Sequence, residues 1–347
     1  MIIGVIGAGL AGLIAGKTLA EAGHEVVVFD KVQEIGGRLA TRDAGDNKDV
    51  KLDYGTSYIQ ADGDEFKSFL SDLEDKGLVK EWCDSFSFHN GETFYKRNPG
   101  RERKTSYIAP KGMNSIGKHL SRYLDFRVGV AVSGLTFIGS NRLSKRNWMI
   151  SLTDLNTFEL DAIVIATPSI QAYGLVQTSQ DELAIRKLIR TISQIEYEPT
   201  FSLMASYGKR EIPEWNAIVC QDKRIKWISN ESSKRGNSGE LGLVIQSTGE
   251  FVKEHSNNSP EDISRLMLEN TSVLAGEWAG KPKWHDLHLW KYNKPLNPLN
   301  TPFLELEEHP APAALVGDYF GHTLESAYLS GLKLGQHWAD KFAMEKA

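Results

Sequence analysis

The hydrophobic pattern is strongest over the first thirty-one residues, where it predicts a strand, a helix and a second strand. Ile2–Ile6 is a nearly continuous apolar run, which is typical of a parallel strand buried on both faces. Small and aliphatic residues then recur at helical spacing over Leu10–Ala22, and Glu25–Phe29 forms a second, β-branched run. The pattern therefore predicts a βαβ unit built on a parallel sheet.

Amphipathic helices and short strands alternate along the rest of the chain. Apolar residues at intervals of three and four predict helices at Asp64–Lys76, Ser115–Tyr123, Gln180–Ile192, Pro260–Ala275 and His322–Ala339. Apolar or alternating runs predict strands at Phe126–Val132, Gly134–Ile138, Trp148–Thr153, Glu159–Ala166, Thr200–Tyr207, Ala217–Cys220, Ile225–Asn230, Leu241–Thr248, Lys283–Tyr292 and Ala314–Asp318. Two polar segments, 43–51 and 231–240, are expected to be loops.

The order of these elements predicts an α/β chain with two domains. Apolar strands at both termini and in the middle suit one parallel sheet, and the strands between 126 and 153 suggest a β-meander beside it. We expect a discontinuous nucleotide-binding domain made of residues 1–78, 106–168 and 293–347. A second, α+β domain for the substrate is expected at 79–105 and 169–292.

Three glycines mark the turn between the first strand and the first helix. Gly7, Gly9 and Gly12 form a G-x-G-x-x-G motif, and Asp30 ends the second strand. In such a motif the first glycine permits the tight turn, the second lets backbone approach a pyrophosphate, and the third lets the helix pack on the strand. Packing alone would explain Gly7 and Gly12 but not Gly9 and Asp30 together. The motif therefore predicts a bound dinucleotide whose phosphates lie at the helix N-terminus.

A second glycine pair follows this acid closely. Gly36 and Gly37 allow a close backbone approach, and Arg38 offers a fork of donors that can reach a phosphate. A glycine turn with a solvated arginine is the alternative. The position just beyond Asp30 favours a role in cofactor binding.

Composition narrows the class of protein. The chain has 347 residues, of which 41% are hydrophobic and 24% are charged, with a formal net charge of −5. This balance suits a large core and argues against nucleic acid or an anionic membrane as the main partner. Cys83 and Cys220 have no metal or disulfide spacing, and no apolar run is long enough to span a membrane. We expect a cytoplasmic enzyme, and its oligomeric state stays open.

These motifs resemble the flavin amine oxidase superfamily, which binds FAD. The motifs that carry the resemblance occur in one order: Gly7/Gly9/Gly12, Asp30, Gly36-Gly37-Arg38, Ala166-Thr167-Pro168, Gly317-Asp318, Glu325-Ser326-Ala327 and Ser330-Gly331. Four three-residue motifs are most similar to its renalase-like branch: Phe29-Asp30-Lys31, Asp53-Tyr54-Gly55, Lys111-Gly112-Met113 and Gly317-Asp318-Tyr319. The resemblance implies a Rossmann-type FAD-binding domain with the substrate domain over the flavin. Because neither cysteine lies in an attachment motif, the FAD is expected to be non-covalent.

The resemblance also implies which residues hold the two phosphates and the adenosine of FAD. Gly7, Gly9, Ala11 and Gly12 would cradle the pyrophosphate, and Asp30 would hold the adenosine ribose. Residues in or beside the same motifs complete this expected cofactor-binding set: Leu10, Lys31, Gly37, Thr167, Gly317 and Glu325.

Further positions would lie along the rest of the cofactor. Arg38 would lie by the phosphates and the flavin, and Val132 would touch adenine through its backbone. Asp318 would hold the ribityl chain or the pyrophosphate. Ser326 and Ala327 would lie at the isoalloxazine edge, where the N-terminus of the last helix stabilises negative charge on reduced flavin.

The chemistry implied is transfer of a hydride from a small-molecule substrate to the flavin, with molecular oxygen as the expected final acceptor and hydrogen peroxide as a product. Renalase-like enzymes are associated with oxidising aberrant NAD(P)H isomers to NAD(P)+, a reaction that needs no protein base. One alternative is an amine oxidase or desaturase that acts on another substrate. The other is an FAD-binding redox sensor without turnover. No second G-x-G-x-x-G is present, which argues against a separate NADPH-binding domain.

The candidate substrate-site residues are aromatic or polar: Tyr54, Tyr58, Trp290, Tyr292 and His322. Trp290 and Tyr292 end a strand just before the chain returns to the nucleotide-binding domain, and His322 is near the flavin by motif. Core packing is the alternative for each aromatic residue, and a capping or exposed position is the alternative for His322. His24, His285 and His288 show no metal-binding spacing and receive no role.

Overall fold

A computed structural model describes residues 1–45, 50–139, 146–179, 183–236, 240–306 and 311–344. The predicted helix start at 180–182 and parts of both predicted loops, 46–49 and 237–239, lie outside these residues. The helices are α1 Leu10–Glu21, α2 Asp64–Asp75, α3 Asn114–Leu120, α4 Ser169–Val176, α5 Leu183–Ile192, α6 Gly249–His255, α7 Pro260–Ala275 and α8 Leu324–Met344. Short 3-10 helices lie at Ser121–Tyr123, Glu231–Lys234, Glu277–Gly280 and Asp318–Phe320.

The strands are short except for two long ones that follow residue 196. In chain order they are β1 Ile2–Ile6, β2 Glu25–Asp30, β3 Thr41–Ala44, β4 Val50–Asp53, β5 Lys80–Cys83, β6 Ser87–His89, β7 Phe94–Tyr95, β8 Ser106–Ile108, β9 Asp125–Val128, β10 Val132–Phe137, β11 Trp148–Leu152, β12 Thr157–Leu160, β13 Ala162–Ile165, β14 Tyr197–Lys209, β15 Ala217–Cys220, β16 Ile225–Asn230, β17 Glu240–Ser247, β18 Trp284–Pro295, β19 Leu304–Glu305 and β20 Ala313–Leu315.

The chain divides into two compact units. The first unit comprises Met1–Arg38, Ile116–Tyr197 and Lys294–Ala347, and the second comprises Leu39–Ser115 and Glu198–Asn293. Among the described residues, no helix is both long and apolar enough to cross a membrane.

The first unit contains the predicted parallel sheet, whose strand order is β19-β20-β13-β1-β2-β9. All neighbours pair in parallel except the edge strand β19, which runs antiparallel to β20. Strand β1 lies between β13 and β2, and its Ile3 and Val5 are fully buried, as its apolar run predicts. Helix α8 packs closely on α1, since a Cβ at Gly331 would collide with the backbone oxygen of Ala11. The predicted Rossmann-type α/β fold is confirmed.

The predicted strands around residues 126 and 160 need correction. The three-stranded meander is β10-β11-β12, whereas β9 joins the parallel sheet beside β2. The strand predicted over Glu159–Ala166 is two strands, because Asp161 interrupts it. Its carboxylate accepts hydrogen bonds from the Ile2 N–H at 2.7 Å and from Arg146 at 2.7 Å. This carboxylate therefore marks the point where the chain leaves the meander and enters the parallel sheet.

The second unit is built on a seven-stranded sheet with the order β18-β14-β17-β16-β15-β6-β7. Its core contains fully buried aliphatic side chains such as Leu203, Leu243 and Ile228, and α7 adds Met267. Helix α7 has the predicted bounds. The Ser259 side chain caps it by accepting a hydrogen bond from the Asp262 N–H at 3.1 Å.

The units differ from the predicted domain boundaries in three segments. Residues 39–78 and 106–115 belong to the second unit, because β3 and β4 pair there and bury Leu52 against Met204 and Val244. Residues 169–197 belong to the first unit, because α4 and α5 bury Ala172 and Ile192 in its core.

Both polar segments predicted as loops contain regular structure. β3 and β4 pair in antiparallel orientation through residues 41–44 and 50–53, and 231–234 is a 3-10 helix. Polarity is misleading at the second segment, since the side chains of Glu231 and Lys234 are fully buried as an ion pair.

Candidate functional site

The glycine motif forms a tight turn at the end of β1. Gly7 has φ +112°, and a Cβ there would lie 2.8 Å from the backbone oxygen of Ala166. A Cβ on Gly12 would collide with the oxygen of Gly7. By contrast, a Cβ on Gly9 would have no protein atom within 4 Å. Gly7 and Gly12 are thus required by the fold, whereas nothing in the protein itself requires Gly9 to be glycine.

Helix α1 begins without a side-chain cap. Gly9 is its N-cap residue and offers no side-chain oxygen, and no acidic residue lies in its first turn. The first N–H groups of a helix carry a partial positive charge and seek an acceptor. This end of α1 has the charge and open backbone that a phosphate group requires. Leu10 and Ala11 are buried in this turn, so only their backbone could contribute.

The second glycine pair lies against the first. Gly36 and Gly37 have φ +121° and +58°. The Gly36 N–H donates to the Ala8 oxygen at 2.9 Å, and a Cβ on Gly37 would lie 3.1 Å from the Gly9 Cα. Glycine is therefore required here because two backbone loops approach each other closely. This approach brings Arg38 next to the glycine motif.

Asp30 ends β2 beside the same turn. Its two carboxylate oxygens accept from the Ala8 N–H at 2.7 Å and from the Val32 N–H at 3.0 Å. The Asp30 backbone oxygen accepts from the Val130 N–H at 3.3 Å, which brings the segment before Val132 to the end of β2. The structure thus brings Asp30 and the segment just before Val132 together at the carboxyl end of β2, where Lys31 is exposed.

Arg38 and Asp318 come together from opposite ends of the chain. The Arg38 Nη1 donates to the Asp318 Oδ2 at 2.6 Å, with 30% and 10% of the two side chains exposed. Gly317, before Asp318, donates its N–H to the Ser330 Oγ of α8 at 3.0 Å. Two of the predicted cofactor-binding residues are therefore direct partners.

A reciprocal cap starts α8. The Thr323 Oγ1 accepts from the Ser326 N–H at 3.0 Å, and the Ser326 Oγ accepts from the Thr323 N–H at 2.7 Å. Ala327 is buried and Glu325 is partly exposed in the same turn. His322, just before it, is exposed and has φ +58°, so it lies in the loop that precedes α8.

Two buried hydroxyl groups beside these residues have no hydrogen-bond partner in the described part of the chain. They are Thr167 Oγ1, next to Gly7, and Tyr319 OH, next to Asp318. Tyr319 is fully buried, and burial raises the pKa of its hydroxyl well above the usual value. An unpaired buried hydroxyl costs about 1 to 3 kcal/mol. A bound cofactor with polar atoms at this turn fits both groups, and Tyr319 is a residue that the sequence reasoning did not assign.

The predicted aromatic residues of the second unit fall into two places. The Tyr54 and Trp290 rings stack with centroids 5.4 Å apart and 21° between their planes. The Trp290 Nε1 also donates to the Tyr54 backbone oxygen at 2.8 Å. Tyr58 instead packs on Phe86 and Trp227 in a separate apolar cluster, as in the core-packing alternative. Tyr292 lies on β18, two residues beyond Trp290 and on the same strand face.

A buried charge network precedes Tyr54, and the sequence reasoning missed it. Asp53 is fully buried and forms ion pairs with Lys234 and Arg235, both of which also pair with Glu231. The Asp53 Oδ1 accepts from the Met113 N–H at 3.0 Å and from the Thr41 hydroxyl at 2.7 Å. The one sequence signal was the i, i+3 and i, i+4 spacing of Glu231, Lys234 and Arg235.

This network controls the ionisation of Asp53. Burial by itself would raise the pKa of the Asp53 carboxyl, but Lys234 and Arg235 outweigh that effect, together with the hydrogen bonds from Met113 and Thr41. The net result is a lowered pKa. Asp53 therefore stays ionised and holds the backbone just before Tyr54.

Known proteins share these features over different lengths. Residues 5–73 match the family model described as an NAD(P)-binding Rossmann-like domain. Mouse renalase is 24% identical to the chain over 333 residues, a match that covers 92% of this chain and 93% of renalase. This chain is a renalase homologue. A relationship of this length includes both units.

Solved structures show that this renalase homologue has the fold of the flavin amine oxidases. Putrescine oxidase bound to putrescine superposes with a TM-score of 0.72 and 12% identity, over 99% of both chains. Cyclohexylamine oxidase from Brevibacterium oxydans superposes with a TM-score of 0.72 and 12% identity, over 98% of this chain and 99% of the oxidase. These solved structures show the fold, and the renalase match over 92% of the chain makes it a flavin-dependent oxidoreductase of the renalase and amine oxidase type.

Proposed function

We propose that this renalase homologue is an FAD-dependent oxidase of dihydronicotinamides. It would bind FAD non-covalently in the first unit and oxidise aberrant NAD(P)H isomers to NAD(P)+. The observation that carries the cofactor proposal is the meeting of three separate segments at the uncapped start of α1. These segments are the glycine motif, the Gly36–Arg38 loop and Asp318.

The residues at this turn suit the phosphates, the ribose and the ribityl chain of FAD. The open backbone at Gly9 and the N-terminus of α1 would hold the pyrophosphate. Asp30 would accept from the ribose hydroxyls, and Arg38 and Asp318 would hold the phosphates and the ribityl chain. The unpaired hydroxyls of Thr167 and Tyr319 would gain partners. Bound FAD would supply a hydride acceptor, and molecular oxygen would then regenerate its oxidised form and leave as hydrogen peroxide.

Cysteine chemistry supports a non-covalent cofactor and a reducing location. Burial raises the pKa of the Cys83 thiol to about 11 and that of the Cys220 thiol to about 12. The thiolate needed for a thioether link is therefore scarce at neutral pH. Both cysteines are free, and a free pair fits the cytoplasmic location that we propose.

The substrate proposal follows from the renalase match and from the chemistry of the substrate. A dihydropyridine that loses a hydride becomes an aromatic pyridinium in one step, so the protein need not remove a proton. The stacked rings of Tyr54 and Trp290 offer an aromatic surface suited to a planar ring, and Tyr292 lies on the same face of β18.

Anaerobic mixing tests this proposal. The purified holoprotein is mixed without oxygen with 6-dihydro-NAD, with ordinary NADH and with putrescine, while the visible flavin absorbance is followed. We expect rapid bleaching by 6-dihydro-NAD alone. On admission of air, we expect hydrogen peroxide in the same amount as the NAD+ formed.

Amine oxidation is the second candidate function, because putrescine oxidase and cyclohexylamine oxidase share the fold over almost the whole chain. Bleaching by putrescine alone would establish that function and overturn the first. Bleaching by none of the three compounds would favour a redox sensor that binds FAD without turnover.

A further inference from the structure

A histidine that the sequence left without a role lies against the predicted aromatic residues. The His288 ring contacts Trp290 with centroids 4.3 Å apart at 61°, and Tyr54 with centroids 5.1 Å apart at 67°. We call Tyr54, His288 and Trp290 the His288 cluster. Its three rings are partly exposed, and no hydrogen bond joins a ring nitrogen of His288 to another described residue. One edge of an imidazole is thus available beside two stacked rings.

The His288 cluster lies on one face of β18. Alternate residues of a strand point to the same face, so Asp286, His288 and Trp290 share it. Asp286 forms an ion pair with Arg42 of β3, and Tyr54 directly follows β4. The titratable and charged groups that face His288 are therefore Arg42 and Asp286, which form an ion pair, and the Tyr54 phenol. All of these residues belong to the second unit.

The geometry points to His288 as a substrate-binding residue that, with Trp290 and Tyr54, receives the nicotinamide ring and its carboxamide. This inference rests on the proposed function and adds to it the residues that recognise the substrate. A ring nitrogen of His288 would form a hydrogen bond with the carboxamide. The aromatic faces of the His288 cluster would contact the pyridine ring.

The charge that forms in the proposed reaction explains why a neutral imidazole and aromatic faces would suit this substrate. When the substrate C–H bond breaks, the hydrogen leaves with both electrons for the proposed FAD, and the neutral dihydropyridine becomes a pyridinium with one positive charge. Aromatic faces stabilise such a cation, whereas an imidazolium that contacts the carboxamide would oppose it. Burial, and then Arg42, lower the pKa of His288, so the imidazole is neutral at pH 7. The neutral ring binds the amide without opposing the charge that develops.

Two substitutions and one matched control test this inference in the holoprotein. His288→Phe keeps an aromatic ring and removes the titration, Trp290→Leu removes an aromatic face, and His285→Ala changes an exposed histidine on the same strand. Anaerobic reduction by 6-dihydro-NAD is measured between pH 5 and pH 8. NAD+ binding is measured separately, by its effect on the flavin spectrum, and flavin content checks that each variant is loaded.

We expect the limiting rate of the unsubstituted protein to fall as pH drops through the His288 pKa, and His288→Phe to lose this acid limb. In the unsubstituted protein the affinity for NAD+ should also weaken in acid, and in the His288→Phe variant it should not. We expect Trp290→Leu to lower the limiting rate and the NAD+ affinity by about tenfold. His285→Ala should match the unsubstituted protein throughout.

The outcomes separate this inference from the function on which it rests. If the unsubstituted protein oxidises the dihydronicotinamide but His288→Phe retains the acid limb and Trp290→Leu stays within about twofold, the inference is wrong and the proposed function stands. If the unsubstituted flavin is bleached by no dihydronicotinamide isomer, both are wrong.

Discussion

Arg38 and Asp318 lie 280 positions apart in the chain and form an ion pair of 2.6 Å beside the glycine turn. The pair joins the loop that follows β2 to the 3-10 helix that precedes α8. Both side chains retain some exposure, so polar groups of a cofactor could share them. The pair therefore connects the two ends of the chain at the proposed FAD site.

Loss of this pair should show first in cofactor binding. We expect Arg38→Ala to weaken FAD binding by about tenfold or more, since a charge-assisted contact contributes about 1.5 to 3 kcal/mol. Fluorescence titration of the apoprotein with FAD measures the effect. Lys17→Ala, which removes a surface pair with Glu21, is the control and should leave the affinity unchanged. If the Arg38 and Lys17 variants bind FAD with equal affinity, Arg38 does not contact the cofactor.

Two glycines of one motif should respond in opposite ways. Gly9→Ala should leave the free energy of unfolding of the apoprotein within about 1 kcal/mol, because its Cβ meets no protein atom, yet FAD binding should weaken strongly. Gly12→Ala should destabilise the apoprotein by about 1 to 3 kcal/mol, because its Cβ would collide with the Gly7 oxygen. Urea unfolding of apoprotein and FAD titration give both values. Undiminished FAD affinity in Gly9→Ala would contradict a pyrophosphate at this backbone.

The unpaired hydroxyl of Tyr319 predicts a difference between apoprotein and holoprotein. Tyr319→Phe removes a buried group without a partner, so the apoprotein should be as stable as before or more stable. FAD should bind the variant less tightly if the hydroxyl donates to it. Thermal unfolding with and without FAD measures both effects. A stabilised apoprotein with unchanged FAD affinity would show that the hydroxyl has no cofactor partner.

The buried network around Asp53 predicts acid sensitivity. Asp53→Asn should lower the free energy of unfolding at pH 7 by about 3 to 5 kcal/mol, because Lys234 and Arg235 lose a buried partner. The pKa of Asp53 is lowered in the folded chain, so its contribution is complete above the unfolded value near 4 and is lost as pH falls through the folded value. The free energy of unfolding, measured from pH 7 to pH 3, should therefore depend less on pH in the variant than in the unsubstituted protein.

A surface acid provides the control for this experiment. Asp43 pairs with Lys51 at 2.6 Å, and both side chains are substantially exposed. Asp43→Asn should change the free energy of unfolding by less than about 1 kcal/mol. Parallel pH profiles for Asp53→Asn and the unsubstituted protein would contradict the assigned ionisation.

Local patterns in the sequence predicted the first strand and the turn that follows it well. The run Ile2–Ile6 and the glycines that follow it correctly predicted the central strand and the turn, because burial on both faces and positive φ leave direct marks in the sequence. The pairing of Arg38 with Asp318 could not be predicted, since it depends on how distant segments meet.

Other features depend on tertiary partners that polarity does not reveal. Glu231 and Lys234 resemble a solvated loop in sequence, yet they are buried because Asp53 and Arg235 neutralise them. Asp161 divides a continuous apolar run because it accepts a hydrogen bond from the first strand. His288 gives no signal by spacing, since its neighbours Tyr54 and Trp290 come from different segments of the chain.

Release of the cofactor tests the central claim most directly. The purified protein is denatured in acid, the precipitate is removed, and the supernatant is identified by absorbance and mass. We expect about one FAD per chain in the supernatant and no flavin with the precipitate, as non-covalent binding at Gly9, Arg38 and Asp318 requires. Flavin that stays with the protein would contradict non-covalent binding. A released NAD(P) without flavin would contradict the assignment of this turn to FAD.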